Sequence, residues 1–217
     1  MSVPKYNYNR QPKLPSVYSP KEIDTMIDCI DRGSVAGKRN YAIVLLAARL
    51  GLRASDIAYL KFENIHWDTS TIILNQFKTG KRIELPLLPD VGNAIIDYLK
   101  YGRPKSDHPF IFLIACSPFS PIMRGAITGI VHSYLMKAGI DVTQRKHGPH
   151  ALRHSLASIL LEKETILPVI SEVLGHQDTE STNYYLRIDR KSMSKCVLDV
   201  PPVVVSFYHQ QKGYFYA

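Results

Sequence analysis

The sequence has little cysteine, and its three cysteines suggest no covalent or metal framework. Cys29, Cys116 and Cys196 are odd in number and far apart among the 217 residues, and no Cys-x-x-Cys pair occurs. Neither a disulfide scaffold nor a thiolate zinc site is therefore indicated. No apolar run is long enough to cross a membrane, and the N-terminus carries no signal-peptide pattern. These absences predict a soluble, intracellular protein.

Acidic residues are in the minority. Nineteen Asp and Glu stand against 27 Lys and Arg, which gives a formal net charge of +8. That balance favours a polyanionic partner without identifying it. Hydrophobic residues make up 45% of the chain, which is enough for a core and too much for a disordered protein. The length allows one substantial domain with extensions, or two small domains.

The N-terminal segment lacks acids altogether and is rich in proline and tyrosine. It carries Lys5, Arg10 and Lys13, and Tyr18 adds an aromatic face near its end. We predict that residues 1–19 form an extended basic arm or interdomain linker that does not fold alone. A frayed terminus is the alternative interpretation.

Helix signals begin directly after this arm. The segment from Ser19 to Glu22 has the pattern of a capping box, with proline at the first helical position. The run from Tyr41 to Leu50 is apolar on nearly every face, which predicts a central helix that stops at Gly51. Ser55 is a candidate cap for the next helix, and Arg53 falls in the break between the two.

Between residues 62 and 87 the hydrophobic period changes to two. Apolar residues alternate with polar ones on either side of two turns, of which the second is Lys78-Thr79-Gly80-Lys81. This pattern predicts a small antiparallel three-stranded sheet whose last hairpin carries Lys78 at its tip. A lysine at a hairpin tip is usually a solvated or edge-protecting residue. In the functional alternative, Lys78 reaches over a substrate.

The rest of the chain is predicted to be mainly helical. The signals indicate a helix capped by Asp90, a strand candidate at 110–113, a helix closed by Gly139, a helix with Pro149 in its first turn, a helix from Pro168 to Gly175, and a short helix at 179–189. The fold class is therefore α+β, mainly α-helical, with its sheet near the N-terminal part. Residues 191–217 are apolar, too much so for a solvated terminus.

Between His147 and Arg190 lies a dense set of residues suited to phosphate chemistry. The sequence reads His-Ala-Leu-Arg-His from His150, Leu-Gly-His at 174–176, and Thr-Asn-Tyr-Tyr at 182–185. Arginines bind phosphate oxygens, imidazoles exchange protons and a phenol can attack. Helical spacing puts His150 and Arg153 on a shared face, where the small Ala157 would leave room for a ligand.

Five motifs in order resemble the catalytic domain of tyrosine recombinases, the family of phage and transposon integrases and chromosome-dimer resolvases. They are Gly-Leu-Arg-Ala-Ser-Asp (51–56), the hairpin lysine, His-Ala-Leu-Arg-His-Ser (150–155), Leu-Gly-His (174–176) and a tyrosine nine residues beyond that histidine. The resemblance covers residues 20–190. It implies a site-specific recombinase or integrase that cleaves and rejoins DNA strands through a covalent 3′-phosphotyrosine, with no metal, ATP or other cofactor.

The resemblance also implies a role for each matching residue. Arg53 and Arg153 would bind the non-bridging oxygens of the scissile phosphate. Lys78 would protonate the leaving 5′ oxygen, and His150 would assist proton movement at the tyrosine. His176 would hydrogen-bond the phosphate.

Tyr185 matches the nucleophile by its spacing, although the local sequence alone leaves Tyr184 as an alternative. Asp56 matches an acidic position that supports the site, and His154 with Ser155 belongs to the motif but has a supporting role at most. Seven basic residues are candidates for DNA contact: Lys5, Arg10, Lys13, Lys81, Arg82, Arg145 and Lys146.

Partners and location follow from the same resemblance. We expect double-stranded DNA as partner, a homo-tetramer on DNA, a monomer free in solution, and a cytoplasmic, DNA-associated location in a prokaryote. Family members usually carry an N-terminal helical domain, so residues 1–19 are expected to be a linker from such a domain or the start of a short protein. The tail at 191–217 would dock on a neighbouring protomer or pack on its own domain.

Three other interpretations stay open at this point. His150 and His154, one helical turn apart, could be two ligands of a zinc site, although no third ligand has suggestive spacing. The same chemistry occurs in type IB topoisomerases, which usually have lysine where His150 stands. A DNA-binding module that has lost catalysis is the third interpretation.

Overall fold

The computed structural model describes residues 16–175. The basic residues of the arm, the helix predicted at 179–189, the tail at 191–217, and His176, Tyr184 and Tyr185 lie outside the described residues. Seven α-helices and three strands occur within 16–175: α1 (Pro20–Asp28), α2 (Val35–Arg49), α3 (Ala54–Ala58), β1 (Ile65–His66), β2 (Thr71–Asn75), β3 (Arg82–Pro86), α4 (Pro89–Tyr101), α5 (Arg124–Lys137), α6 (Pro149–Glu162) and α7 (Leu167–Leu174). The predicted α+β class, mainly α-helical, is confirmed.

The three strands form one antiparallel sheet in the order β1-β2-β3, as predicted. Ile72 pairs with Leu85 and Leu74 pairs with Ile83, and all four side chains are buried. Side chains of a strand alternate between its two faces, so one face of the hairpin packs on the core. Gln76 continues the same alternation beyond β2 and is also buried.

Helix α2 is the centre of the core. Every residue from Ala42 to Ala48 is buried, and the helix packs against α4 and α6. It ends as predicted at Gly51, whose φ is +63° and whose added Cβ would lie 3.0 Å from Leu156 and from Leu174. A glycine is needed there for both the backbone conformation and the close approach of α6 and α7.

Three local predictions are wrong. Arg53, not Ser55, occupies the N-cap of α3, because the backbone enters helical geometry two residues earlier than the cap preference suggests. Asp90 lies inside the first turn of α4, where its carboxylate accepts the N–H of Val91, and the helix starts at Pro89. Residues 110–113 form isolated bridges with residues 61 and 121 and no strand.

The end of the predicted arm belongs to the folded domain. Tyr18 is 2% exposed; its N–H donates to Ser155 Oγ at 2.8 Å and its phenol to the carbonyl of Lys146 at 3.0 Å. The guanidinium of Arg145 lies 4.4 Å from the Tyr18 ring centroid. The prolines around Tyr18 predict an arm, but burial against α6 outweighs that local pattern.

Helices α6 and α7 are locked together by a small apolar cluster. Pro149 begins α6 as predicted, and Gly175 ends α7 in the left-handed conformation. Ala157, fully buried, packs with Leu161 and with Ile170 and Leu174 of α7. The expectation that Ala157 leaves room for a ligand is therefore wrong, because its small side chain admits the neighbouring helix.

Candidate active site

A cleft of about 490 Å³ brings together three of the predicted site residues. Arg53 at the start of α3, Lys78 from the β2–β3 turn and His150 at the start of α6 all line it. Arg124 and Thr128, from the first turns of α5, line it as well. Four segments that are distant in the sequence thus meet around one opening with several cationic side chains.

Arg53 lies beside a buried carboxylate. Its Nη1 lies 3.9 Å from Oδ2 of Asp56, whose side chain is 0% exposed, and the Arg53 side chain itself is 19% exposed. The other oxygen of Asp56 accepts the N–H of Phe77 at 2.9 Å, and Phe77 directly precedes Lys78. One acid thus contacts both the Arg53 segment and the base of the lysine turn.

Arg153 lies behind the cleft and does not line it. It is 2% exposed, and its guanidinium donates to the carbonyl of Gly51 at 2.9 Å and to the carbonyl of Leu174. The side chain therefore joins the C-terminal ends of α2 and α7. Arg153 is one turn beyond His150 on α6, and its charge acts on that imidazole.

The imidazole of His150 is held in a cationic, partly desolvated setting. Its Nε2 lies 3.0 Å from Nε2 of His154, and a hydrogen bond between two ring nitrogens requires at least one of them to be an acceptor. The pKa of His150 is lowered from its ordinary value, first by burial and then by four cations: Arg153, Lys146, Arg53 and Lys78. At neutral pH this histidine is therefore uncharged and able to accept a proton.

Lys78 extends from a closed turn. The N–H of Gln76 donates to the carbonyl of Lys81 at 2.9 Å, and the N–H of Gly80 returns to the carbonyl of Gln76 at 2.8 Å. Gly80 has a φ of +67°, which favours glycine at the tip. The exposed Lys78 side chain is the only part of this turn that lines the cleft.

Some of the residues that line the cleft were not predicted from the sequence. Arg124 and Thr128 stand in no recognisable motif, and they reach the cleft only because α5 packs against α3. His147 also lines the cleft, and its ring centroid is 4.0 Å from that of His132. Its position three residues before His150 was the one available signal.

The predicted DNA-contact residues fall into separate groups. Arg145 donates to Glu22 at 2.7 Å and to the carbonyl of Val17, so its observed contacts are within the chain. Lys146 is exposed and acts on His150. Lys81 and Arg82 line a second cleft of about 660 Å³ beside α7. DNA contact by these four residues stays a prediction. Lys5, Arg10 and Lys13 lie outside the described residues.

Metal binding and membrane insertion find no support in the part of the chain that the structure describes. Within residues 16–175, no group of three His, Cys, Asp or Glu side chains could hold a metal ion, so the pair formed by His150 and His154 finds no third ligand there. Over the same range, no helix is long and apolar enough to cross a membrane.

Solved structures share this fold. The crystal structure of XerA recombinase matches 85% of the chain and 65% of its own length, with a TM-score of 0.70 and 24% identity. A structure of XerH site-specific recombinase bound to palindromic difH substrate, in a post-cleavage complex, matches 85% of the chain and 53% of its own length, with a TM-score of 0.72 and 20% identity. The fold is that of a tyrosine recombinase catalytic domain.

Sequence comparison gives the family. The phage integrase family model matches residues 17–192, and the chain belongs to that family. The chain is 34% identical to y4gC of Sinorhizobium fredii, which is named an integrase/recombinase, over 89% of the chain and all of that protein. It is 31% identical to tyrosine recombinase XerA of Pyrococcus furiosus over 87% of the chain, but it spans only 64% of that protein.

Proposed function

We propose that the protein is a site-specific DNA recombinase that cleaves and rejoins strands through a 3′-phosphotyrosine formed by Tyr185. The observation that carries the proposal is the convergence of Arg53, Lys78 and His150 on one cleft. Family membership supports the same reaction.

The cationic groups suit a phosphodiester under attack. As a nucleophile adds to phosphorus, negative charge grows on the equatorial oxygens, and guanidinium groups aimed at them stabilise it. Arg53 already lines the cleft. Arg153 does not line the cleft, and its charge would act from behind it, where the Gly51 and Leu174 carbonyls orient its guanidinium.

Proton transfer at both ends of the reaction has a candidate group. A phenol has an ordinary pKa of about 10, so it needs nearby positive charge and a proton acceptor to attack at neutral pH. His150 is that acceptor, because its lowered pKa keeps it uncharged. Lys78 donates the proton to the departing 5′ oxygen, which is otherwise a poor leaving group.

Double-stranded DNA is the proposed substrate, with a tetramer on DNA and a monomer free in solution. Two proteins of the same fold support the choice of DNA: XerH was solved bound to its difH substrate, and lambda integrase was solved as a dimer bound to a core site. Strand exchange follows when a 5′ hydroxyl of another strand attacks the phosphotyrosine, so bond energy is conserved and no ATP is required.

A suicide substrate tests the proposal. Duplex DNA with a nick near the cleavage site loses its leaving strand and traps the covalent complex, which is seen as an SDS-resistant band. The wild type should form it, Tyr185→Phe should abolish it, and the matched Tyr184→Phe should retain it. A band that is lost only in Tyr184→Phe would move the nucleophile by one residue. Specific binding without a band in the wild type would indicate a silent DNA-binding module.

A further inference from the structure

One buried polar side chain has no role in the chemistry described so far. Gln76 is 1% exposed, at a position where the alternation of Ile72 and Leu74 calls for an apolar residue. Burying an amide has a free-energy cost that only good hydrogen bonds offset. Core packing therefore gives no reason for glutamine here, and its hydrogen bonds must supply one.

Both ends of the amide are bonded, and to different elements. Its Nε2 donates to the carbonyl of Leu174 at 3.0 Å, and its Oε1 accepts the hydroxyl of Thr79 at 2.8 Å. Thr79 directly follows Lys78 in the turn. Leu174 is the last residue of α7, and its carbonyl also accepts from Arg153. One amide thus connects the lysine turn with the carbonyl that orients the buried arginine.

The contact between these elements leaves no space for adjustment. A Cβ added to Gly175 would lie 2.3 Å from Nε2 of Gln76 and 2.7 Å from Ile83. The end of α7 is therefore seated directly on the base of the hairpin. A movement of either element is passed to the other, because close-packed interiors have low compressibility and transmit strain.

We propose that Gln76 is a positioning residue that fixes the Lys78 turn relative to Arg153, so that the Lys78 ammonium and the Arg153 guanidinium act on the same phosphate. The inference rests on the proposed function. Without the amide, the turn would lose its side-chain connection to α7, and Lys78 would reach the leaving oxygen in a smaller fraction of complexes.

The test compares two substrates. In one the leaving 5′ atom is oxygen, and in the other it is sulfur, which departs without a proton. Gln76→Leu should slow cleavage of the oxygen substrate by about 10- to 100-fold, since misplacement by about 1 Å costs about that much. The sulfur substrate should lose less than about 3-fold, because it does not need Lys78. Thr79→Val, which removes only the hydroxyl bonded to Gln76, should show the same pattern more weakly.

Controls separate this role from folding and from the proposed function. Asn75→Leu, at the exposed last residue of β2 directly before Gln76, should leave both rates unchanged. Hydrogen exchange in the wild type and in Gln76→Leu should show faster exchange at the N–H groups of both Gly80 and Gly175 in the variant, and this readout needs no catalysis. Covalent trapping by the wild type tests the proposed function separately.

Two results would overturn the inference. One is a Gln76→Leu protein that cleaves both substrates at wild-type rates. The other is a protein that slows both by the same factor, since that loss would not pass through Lys78. If Gln76→Leu does not fold, Thr79→Val carries the same comparison alone, and equal effects on the two substrates would refute the coupling.

Discussion

Replacement of Asp56 offers a direct measurement of how the cleft is held in shape. The carboxylate is fully buried, accepts the N–H of Phe77 at 2.9 Å and lies 3.9 Å from Nη1 of Arg53. Asp56→Ala removes both interactions and the negative charge that faces Arg53. Asp56→Asn removes the charge but keeps an oxygen for the Phe77 N–H. The two variants therefore divide the loss between charge and hydrogen bond.

The expected losses follow from burial. Removing one partner of a buried ion pair costs about 3–5 kcal/mol, but Arg53 retains 19% side-chain exposure, so water reduces the loss to about 2–4 kcal/mol for Asp56→Ala. For Asp56→Asn we expect about 1–2 kcal/mol, because the hydrogen bond to Phe77 survives. Against a total stability of about 5–15 kcal/mol, either loss is measurable.

A double-mutant cycle measured by urea unfolding gives the coupling free energy between Asp56 and Arg53. Asp56→Ala should cost at least about 1 kcal/mol less in an Arg53→Met background than in the wild type, because the cation that faces Asp56 is then absent. Glu63→Ala, an exposed carboxylate of the same region, is the control and should change stability by less than about 0.5 kcal/mol. Equal costs for Asp56→Ala in both backgrounds would refute the assignment of Asp56 as the support of Arg53.

Three further perturbations test other parts of the site. Lys146→Ala removes a cation that lowers the pKa of His150. The pKa of His150 should rise in this variant, so the acid limb of the cleavage–pH profile should move to higher pH. An acid limb that does not move would show that His150 is not the proton acceptor. Gly175→Ala should lower the free energy of unfolding by about 2–4 kcal/mol, because an alanine there is strained in the left-handed conformation and overlaps its neighbours. The control Gly139→Ala, with φ of +69° and open space around it, should cost only about 1 kcal/mol. Similar losses in the two variants would refute the close packing of the end of α7 on the hairpin. Arg145→Met should cost about 1–2 kcal/mol in urea unfolding, because it removes the hydrogen bond to Glu22; an unchanged stability would refute the structural role of this contact.

Local patterns predicted much of the fold, because they act over a few residues. The capping box at Ser19 forms as expected, with its hydroxyl accepting the N–H of Glu22. The period of two identified the sheet and the turn that carries Lys78. The stop at Gly51 and the helix from Pro149 were visible for the same reason: each depends on the backbone preference of one residue.

What could not be predicted depends on contacts between distant segments. Tyr18 has the local surroundings of a linker, and it is buried by contacts with residues more than 120 positions away: Arg145, Lys146 and Ser155. The role of Gln76 likewise requires Leu174, 98 residues away. Arg124 reaches the cleft through helix packing alone. No pattern in a single sequence records such pairs.

The charge around His150 has a consequence for DNA binding itself. Four cations and burial lower the pKa of this imidazole, and a phosphate bound among them would offset their charge. The pKa of His150 should therefore rise when DNA binds, so the complex takes up protons between the free and bound values. By linkage, affinity must then increase as the pH falls through that window. The imidazoles of His147 and His154 lie close by in the chain, so the comparison is made with His150→Gln, measuring Kd at fixed ionic strength across the pH range. The variant should lose part of the pH dependence of the wild type. If the two curves stay parallel, no phosphate shares its charge with the cations around His150, and the cleft is not where the scissile bond lies.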